Sequence, residues 1–193
     1  MRAALLRRAE RPLDALGLTA FRVLFGLLTL SSSLRFLAEG WVERAFVTPT
    51  FFFSFRGLDW VQVLPSWAMY ALFGAMALAS LCITLGLFYR TAIVAFFLLF
   101  TYVELIDVTN YLNHYYLVSL LAFLLCWMPL GDAHSLDVAR SGRASRRSFP
   151  AWLTWLLRFQ VSVVYIYAAI AKTGADWLVH GQPMGIWLAA RTD

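Results

Sequence analysis

Lys172 is the sole lysine among the 16 basic side chains of this chain, and it closes the almost wholly apolar run 159–170. An arginine keeps its proton nearly everywhere in a protein, whereas a desolvated lysine can give its proton up, and a neutral amine is a base. The residue type at this place is therefore the one suited to proton chemistry beside a membrane, and Lys172 is the candidate catalytic base. A second constellation lies in the segment 104–114: Glu104, Asp107, Asn110, Asn113 and His114. An imidazole, amides and carboxylates close to an apolar segment are costly to bury and mark functional sites by default. Each also has a structural reading. Lys172 could snorkel and sit on a helix C-terminus, His114 could hydrogen-bond a neighbouring helix, and Asn110 could cap a helix. Glu104 and Asp107 could be solvated residues at a helix end.

The elements that position these residues follow from composition. Of 193 residues, 61% are hydrophobic and 14% are charged, against ~45–50% and ~25% for a soluble domain. The chain is expected to be an all-α, polytopic transmembrane helix bundle forming a single domain over 1–193. A hydrocarbon core of ~30 Å needs ~20 apolar residues per helix. Spans are expected at roughly 16–37, 67–88, 91–106, 111–130 and 152–171. A short C-terminal helix follows them, too interrupted by Pro183 and glycines to cross. The stretch 91–130 is too long for one crossing and must break at Asp107-Val108-Thr109-Asn110, which offers turn and capping chemistry.

Arginines cluster before the first span (Arg2, Arg7, Arg8, Arg11), at Arg90, and between the fourth and fifth spans (Arg140, Arg143, Arg146, Arg147). With five spans these loops share one side, cytoplasmic by the positive-inside rule, so the N-terminus is expected to be cytoplasmic. The 104–114 cluster and Lys172 then fall at the opposite membrane level. Arg22, inside the first span, either snorkels or pairs within the bundle, and Arg158 with Gln160 reads as the cytoplasmic interface. The basic, apolar N-terminus is read as a retained helix and not a cleaved signal. The loop 38–66 carries Phe51, Phe52, Phe53, Phe55 and Trp60. These are either interfacial aromatics or a lid over a cavity.

Several classes of function are set aside. The net charge of +5 flanks apolar runs and makes no extended patch, so nucleic acid is not an expected partner; the bilayer is. Cys82 and Cys126 read as buried thiols. His134 between Asp132 and Asp137 has no third strong ligand nearby, and no metal is expected. No phosphate loop and no nucleophile elbow is present.

Five pieces then fall in order along the chain: Phe21-Arg22-Val23-Leu24-Phe25-Gly26, Leu85-Gly86-Leu87-Phe88-Tyr89-Arg90, Asn113-His114 with Tyr116-Leu117, Ser135-Leu136-Asp137, and Gln160, Tyr165, Lys172, Asp176 and Trp177. With them the chain resembles the HTTM membrane-domain family, whose best-known member is vitamin K-dependent gamma-glutamyl carboxylase. The resemblance implies a base at Lys172 that deprotonates a vitamin K- or menaquinone-type quinol. It also implies polar contacts from Asn113 and from His114, the second catalytic candidate, at the reaction site. Asn110, Asp107, Tyr165 and Trp177 are the further ligand-binding candidates. In the carboxylase oxygen then converts the quinol to a stronger base, which removes a glutamate γ-proton before CO2 addition. Ala171 stands where the carboxylase has a lysine, and its large lumenal domain has no counterpart before Asp193. The expected function is thus a quinol- and oxygen-dependent epoxidase or carboxylase-type reaction, with an unidentified peptide or protein as the acceptor. The alternatives are a non-enzymatic membrane partner in maturation of a secreted peptide, and a fragment of a larger membrane protein. A bacterial inner membrane is the expected location.

Overall fold

A computed structural model describes residues 2–190. Four helices are long and apolar enough to cross a membrane: α2 (Ala15–Ala38), α3 (Ser66–Leu85), α4 (Tyr89–Ile106) and α7 (Ala151–Ala171). The helix α5 (Asn113–Trp127) is also apolar but has 15 residues, about 22 Å at 1.5 Å per residue, shorter than a hydrocarbon core. Short helices complete the chain: α1 (Arg2–Ala9), α6 (Leu136–Ser141), α8 (Ala175–Leu178) and α9 (Gln182–Ala189). The protein is an all-α helix bundle and an integral membrane protein, as its composition requires. It divides into two units, Met1–Leu153 and Thr154–Asp193.

In the first unit α2, α3, α4 and α5 pack each against the next. The buried residues of α2, among them Leu18, Arg22, Phe25, Thr29 and Ser33, recur every three or four positions and make one stripe. Leucines off that stripe, such as Leu24 and Leu28, are exposed, as lipid-facing positions are. Gly26 lets α2 approach α3 closely, because a Cβ there would lie 2.7 Å from the Thr84 backbone nitrogen. Small residues are the usual means by which membrane helices bring their backbones together.

The ends of the helices carry most of what the sequence pattern did not reveal. A span was expected to run to residue 88, but α3 ends at Leu85. Gly86 takes a left-handed conformation (φ 64°) whose N–H bonds back to α3, and Phe88 is left-handed too (φ 46°). Two short strands were also not anticipated: β1 (Pro12–Asp14) pairs antiparallel with β2 (Ser148–Pro150), Leu13 opposite Phe149. Proline at the outer positions of each pairing hides the strand signal, since proline is depleted from sheets. The pair ties the residues before α2 to those before α7, and Asp14 caps α2 by accepting from the Leu16 N–H at 2.6 Å.

Near this ribbon lies a polar joint. Arg22 is 1% exposed, which settles its two readings in favour of pairing inside the bundle. Its Nη2 donates to the His134 carbonyl at 2.8 Å. Asp137 accepts from the N–H groups of Phe88 (2.8 Å) and Tyr89 (3.0 Å), capping α4, while its own N–H donates to the Gly86 carbonyl at 3.1 Å. Ser135 accepts from the Val138 N–H and donates to the Gly131 carbonyl. Tyr89 Oη donates to the Leu125 carbonyl at 3.0 Å and Arg90 Nη1 to that of Cys126 at 2.8 Å. Three of the motif pieces, around Arg22, Gly86–Arg90 and Ser135–Asp137, therefore meet as a joint between helix ends.

In the second unit, α7 ends at Ala171 and the chain breaks through Lys172–Gly174 before α8 begins with Gly174 at its N-cap position. Arg158 is exposed on α7.

Candidate functional site in the amino-terminal unit

A cavity of about 670 Å³ lies among α2, α3, α4, α5 and the residues after α2, within the ~300–1,000 Å³ typical of small-ligand sites. Its wall is mostly apolar. On α4, Phe96, Phe100 and Glu104 are spaced by four and so share one face. Phe96 and Phe100 stack at 5.4 Å between centroids, and Phe100 meets Tyr115 of α5 edge-on at 6.2 Å. Glu104 continues this ridge toward the junction of α4 and α5. It is half-buried and lines the cavity, and its carboxylate makes no hydrogen bond or ion pair among the described residues. On α2, Thr29 and Ser33 also face the cavity, but their hydroxyls donate to the carbonyls of Phe25 and Thr29, both at 2.9 Å. This turns their polar groups inward on the helix itself and leaves the wall apolar.

The polar groups gather at the α4–α5 junction. Asp107 is buried, and its Oδ1 accepts from the Thr109 N–H (2.9 Å) and hydroxyl (2.8 Å), which shapes the single 3₁₀ turn Val108–Asn110. The Val108 N–H donates to the Phe53 carbonyl at 2.8 Å, tying the long loop to this turn. Thr109, Asn110 and His114 then line the cavity mouth, with His114 edge-on to Tyr115 at 4.5 Å.

The structure thus brings Asn110 and His114, two of the expected ligand contacts, onto one cavity with Glu104. Asp107 does not line it and serves the turn instead. Asn113 is exposed in the first turn of α5 and is not among the lining residues. Asn110 does not cap α5 either, because Leu112 occupies that position. The loop contributes Trp41, Arg44 and Phe46 to the wall, whereas Phe51, Phe53 and Trp60 are exposed. Sequence reasoning missed Arg44 and Tyr115. Arg44 carries no pattern signal, while Tyr115 directly follows His114 and was open to the same inspection. Replacing Asp107 by alanine removes the acceptor for two donors, and a loss of about 1–2 kcal/mol is expected. Thermal unfolding in detergent measures it.

In the second unit, Lys172 is exposed and its Nζ lies 5.0 Å from the centroid of the Trp177 ring. Its backbone N–H bonds to the Ala169 carbonyl at 3.0 Å, finishing α7. Tyr165, two turns earlier, is 72% exposed, and Trp177 sits in α8. Asp176 makes no ion pair with Lys172 among the described residues, as the helix break at Gly174 leads one to expect.

A bundle of apolar helices holding a half-open cavity with polar groups at one end places the protein in the class of helical integral membrane proteins with a ligand-sized recess. The chain belongs to the HTTM-domain family: residues 10–193 match the HTTM domain, a family tied to the membrane domain of vitamin K-dependent carboxylase. No solved structure matches the chain.

Proposed function

We propose that the protein binds a membrane quinol of the vitamin K or menaquinone type in the cavity of the amino-terminal unit and uses Lys172 as the base in an oxygen-dependent reaction of the epoxidase or carboxylase type. The observation that carries the binding step is the cavity itself, an aromatic slot whose polar groups stand together at the α4–α5 junction. A quinol has matching parts: an apolar ring and tail for Phe96 and Phe100, and hydroxyls for Glu104, Asn110 and His114. Glu104 is a half-buried acceptor on the cavity wall whose carboxylate has no donor among the described residues, so it is free to accept from a ligand hydroxyl. When bound, the quinol supplies the reducing equivalents for dioxygen. The part of the amino-terminal unit is to hold the ring and to accept from its hydroxyls; the base at Lys172 of the second unit is supported by its residue type and by family membership. Family membership favours this chemistry; the cytoplasmic N-terminus rests on the arginine distribution, with which a bacterial inner membrane is compatible. The acceptor peptide or protein is left open.

The test is mass spectrometry of lipid extracts from the detergent-purified full chain, with and without reduced menaquinone and oxygen. Quinone should co-extract with wild type, and Glu104→Gln should lower its occupancy about 10-fold, the worth of one hydrogen bond to a charged group. Epoxide should form with wild type and fail to form with Lys172→Ala. No bound quinone and no epoxide from folded wild type would reject the proposal. A second reading, Lys172 as an interface anchor in a non-enzymatic partner protein, is favoured by its place over the Trp177 ring.

A further inference from the structure

A second recess, of about 440 Å³, lies at the arginine-rich end of the first unit, between the start of α4, the residues after α5, and α6. Arg90, Arg140 and Arg143 line it, and all are exposed. Two carboxylates share the wall, and both are already engaged. Asp137 gives its oxygens to the Phe88 and Tyr89 N–H groups at 2.8 and 3.0 Å. Asp132 faces Arg146 at 3.7 Å. None of the three lining arginines has a carboxylate within 4.0 Å among the described residues. Neutral groups hold them instead. Arg90 Nη1 donates to the Cys126 carbonyl at 2.8 Å, Arg140 lies 4.8 Å over the Phe88 ring, and Arg143 Nε donates to Ser141 Oγ at 3.1 Å. A guanidinium has five N–H donors, so these contacts orient each side chain and leave most of its donors open.

Three cations outnumber the two carboxylates on this wall, and an anion between the guanidiniums relieves the repulsion that remains. The recess also stands where apolar helices end. Phe88 (58% exposed) lines it, and Trp127 (68% exposed) ends α5 next to Cys126, whose carbonyl holds Arg90. A ligand with a phosphate at one end and hydrocarbon at the other matches both surfaces. Basic pockets at the ends of membrane helices hold phosphate headgroups by this means.

We propose that Arg90, Arg140 and Arg143 form a site for a phosphate-bearing anion, supplied by the headgroup of an anionic phospholipid. The experiment uses the full chain in neutral detergent, titrated with phosphatidylglycerol, with phosphatidylcholine of equal chain length, and with inorganic phosphate, each followed by thermal shift. Phosphatidylglycerol should raise Tm saturably, and phosphatidylcholine should not. The variant pair Arg140→Gln/Arg143→Gln should weaken phosphatidylglycerol binding about 30-fold, from roughly 1 kcal/mol per arginine. Both side chains are exposed, and Arg90, which braces the end of α5, is left in place. The pair Arg7→Gln/Arg8→Gln on α1 removes the same charge elsewhere and should bind as wild type does. Equal weakening by the two pairs would reduce the effect to net charge and overturn the site. So would an equal response to phosphatidylcholine or no response to any lipid. An equal response to inorganic phosphate at the same concentration would overturn the lipid as its source.

Discussion

Lys172→Arg should abolish turnover of the reduced quinol while leaving the second unit folded, with a rate loss of about 100-fold or more, the usual worth of a positioned base. The substitution separates the two readings of this residue. If Lys172 is an anchor, its assets are a positive charge and the contact with the Trp177 ring 5.0 Å away. Arginine keeps both and stacks on aromatic faces more often than lysine does. If Lys172 is a base, arginine cannot replace it, because the guanidinium does not release its proton. Structural damage is an unconvincing explanation for a loss. The side chain is exposed, and the hydrogen bond that ends α7 comes from the Lys172 backbone, which any residue but proline supplies. The measurement is single-turnover epoxide formation beside the far-UV spectrum and quinone occupancy. Full turnover in Lys172→Arg would end the proposal of a base at this position. Lost turnover with unchanged occupancy would confine the defect to a step after binding.

The helices and the polar break between α4 and α5 were legible in the sequence because both are local. Twenty apolar residues must become a helix in a bilayer, where a backbone without internal hydrogen bonds is not tolerated. The segment Asp107–Asn110 interrupts that pattern, and the structure turns there. Glu104 could be read only as polar. That it faces a cavity follows from Phe96 and Phe100 at spacings of four, a pattern that gains meaning once α2 and α5 stand opposite. The Arg22 joint was less accessible. Arg22 and His134 are 112 positions apart, and Phe88 and Asp137 are 49 apart. No periodicity links such pairs. The same residues were visible as family motifs, but motif membership does not tell a chemical site from a helix joint. The geometry does: Asp137 is a cap and Gly86 is a turn. Asn113 shows the opposite case: it and His114 are both marked by resemblance and both exposed at the start of α5, but only His114 lines the cavity.

The joint gives the largest expected effect on stability, at Gly86. Two separate costs fall on an alanine there. The first is conformational: φ is 64°, a region that costs an L-residue roughly 1–2 kcal/mol. The second is steric: a Cβ would run into Arg22 Nη1 and the Ser135 Cβ. Arg22 has little room to yield. It is 1% exposed, it is held to the His134 carbonyl at 2.8 Å, and its Nε and Nη1 already lack partners. Pushing it aside breaks the bond it has and strands a buried charge, a further loss of about 2–3 kcal/mol. Gly86→Ala should therefore cost about 3–5 kcal/mol in all, enough to prevent recovery of monodisperse protein at ordinary temperature. Gly142 separates the two costs, since its φ is 65° and no atom lies within 4 Å of a Cβ there. Gly142→Ala should lose only about 1–2 kcal/mol, the conformational part. Gly74, with open space and no positive φ, should accept alanine with no loss and a gain of up to about 1 kcal/mol in helix propensity. Thermal unfolding of the three variants in one detergent gives the order. If Gly86→Ala unfolds with Gly142→Ala, then Arg22 yields without loss, and the joint is not what fixes the ends of α2, α3 and α4.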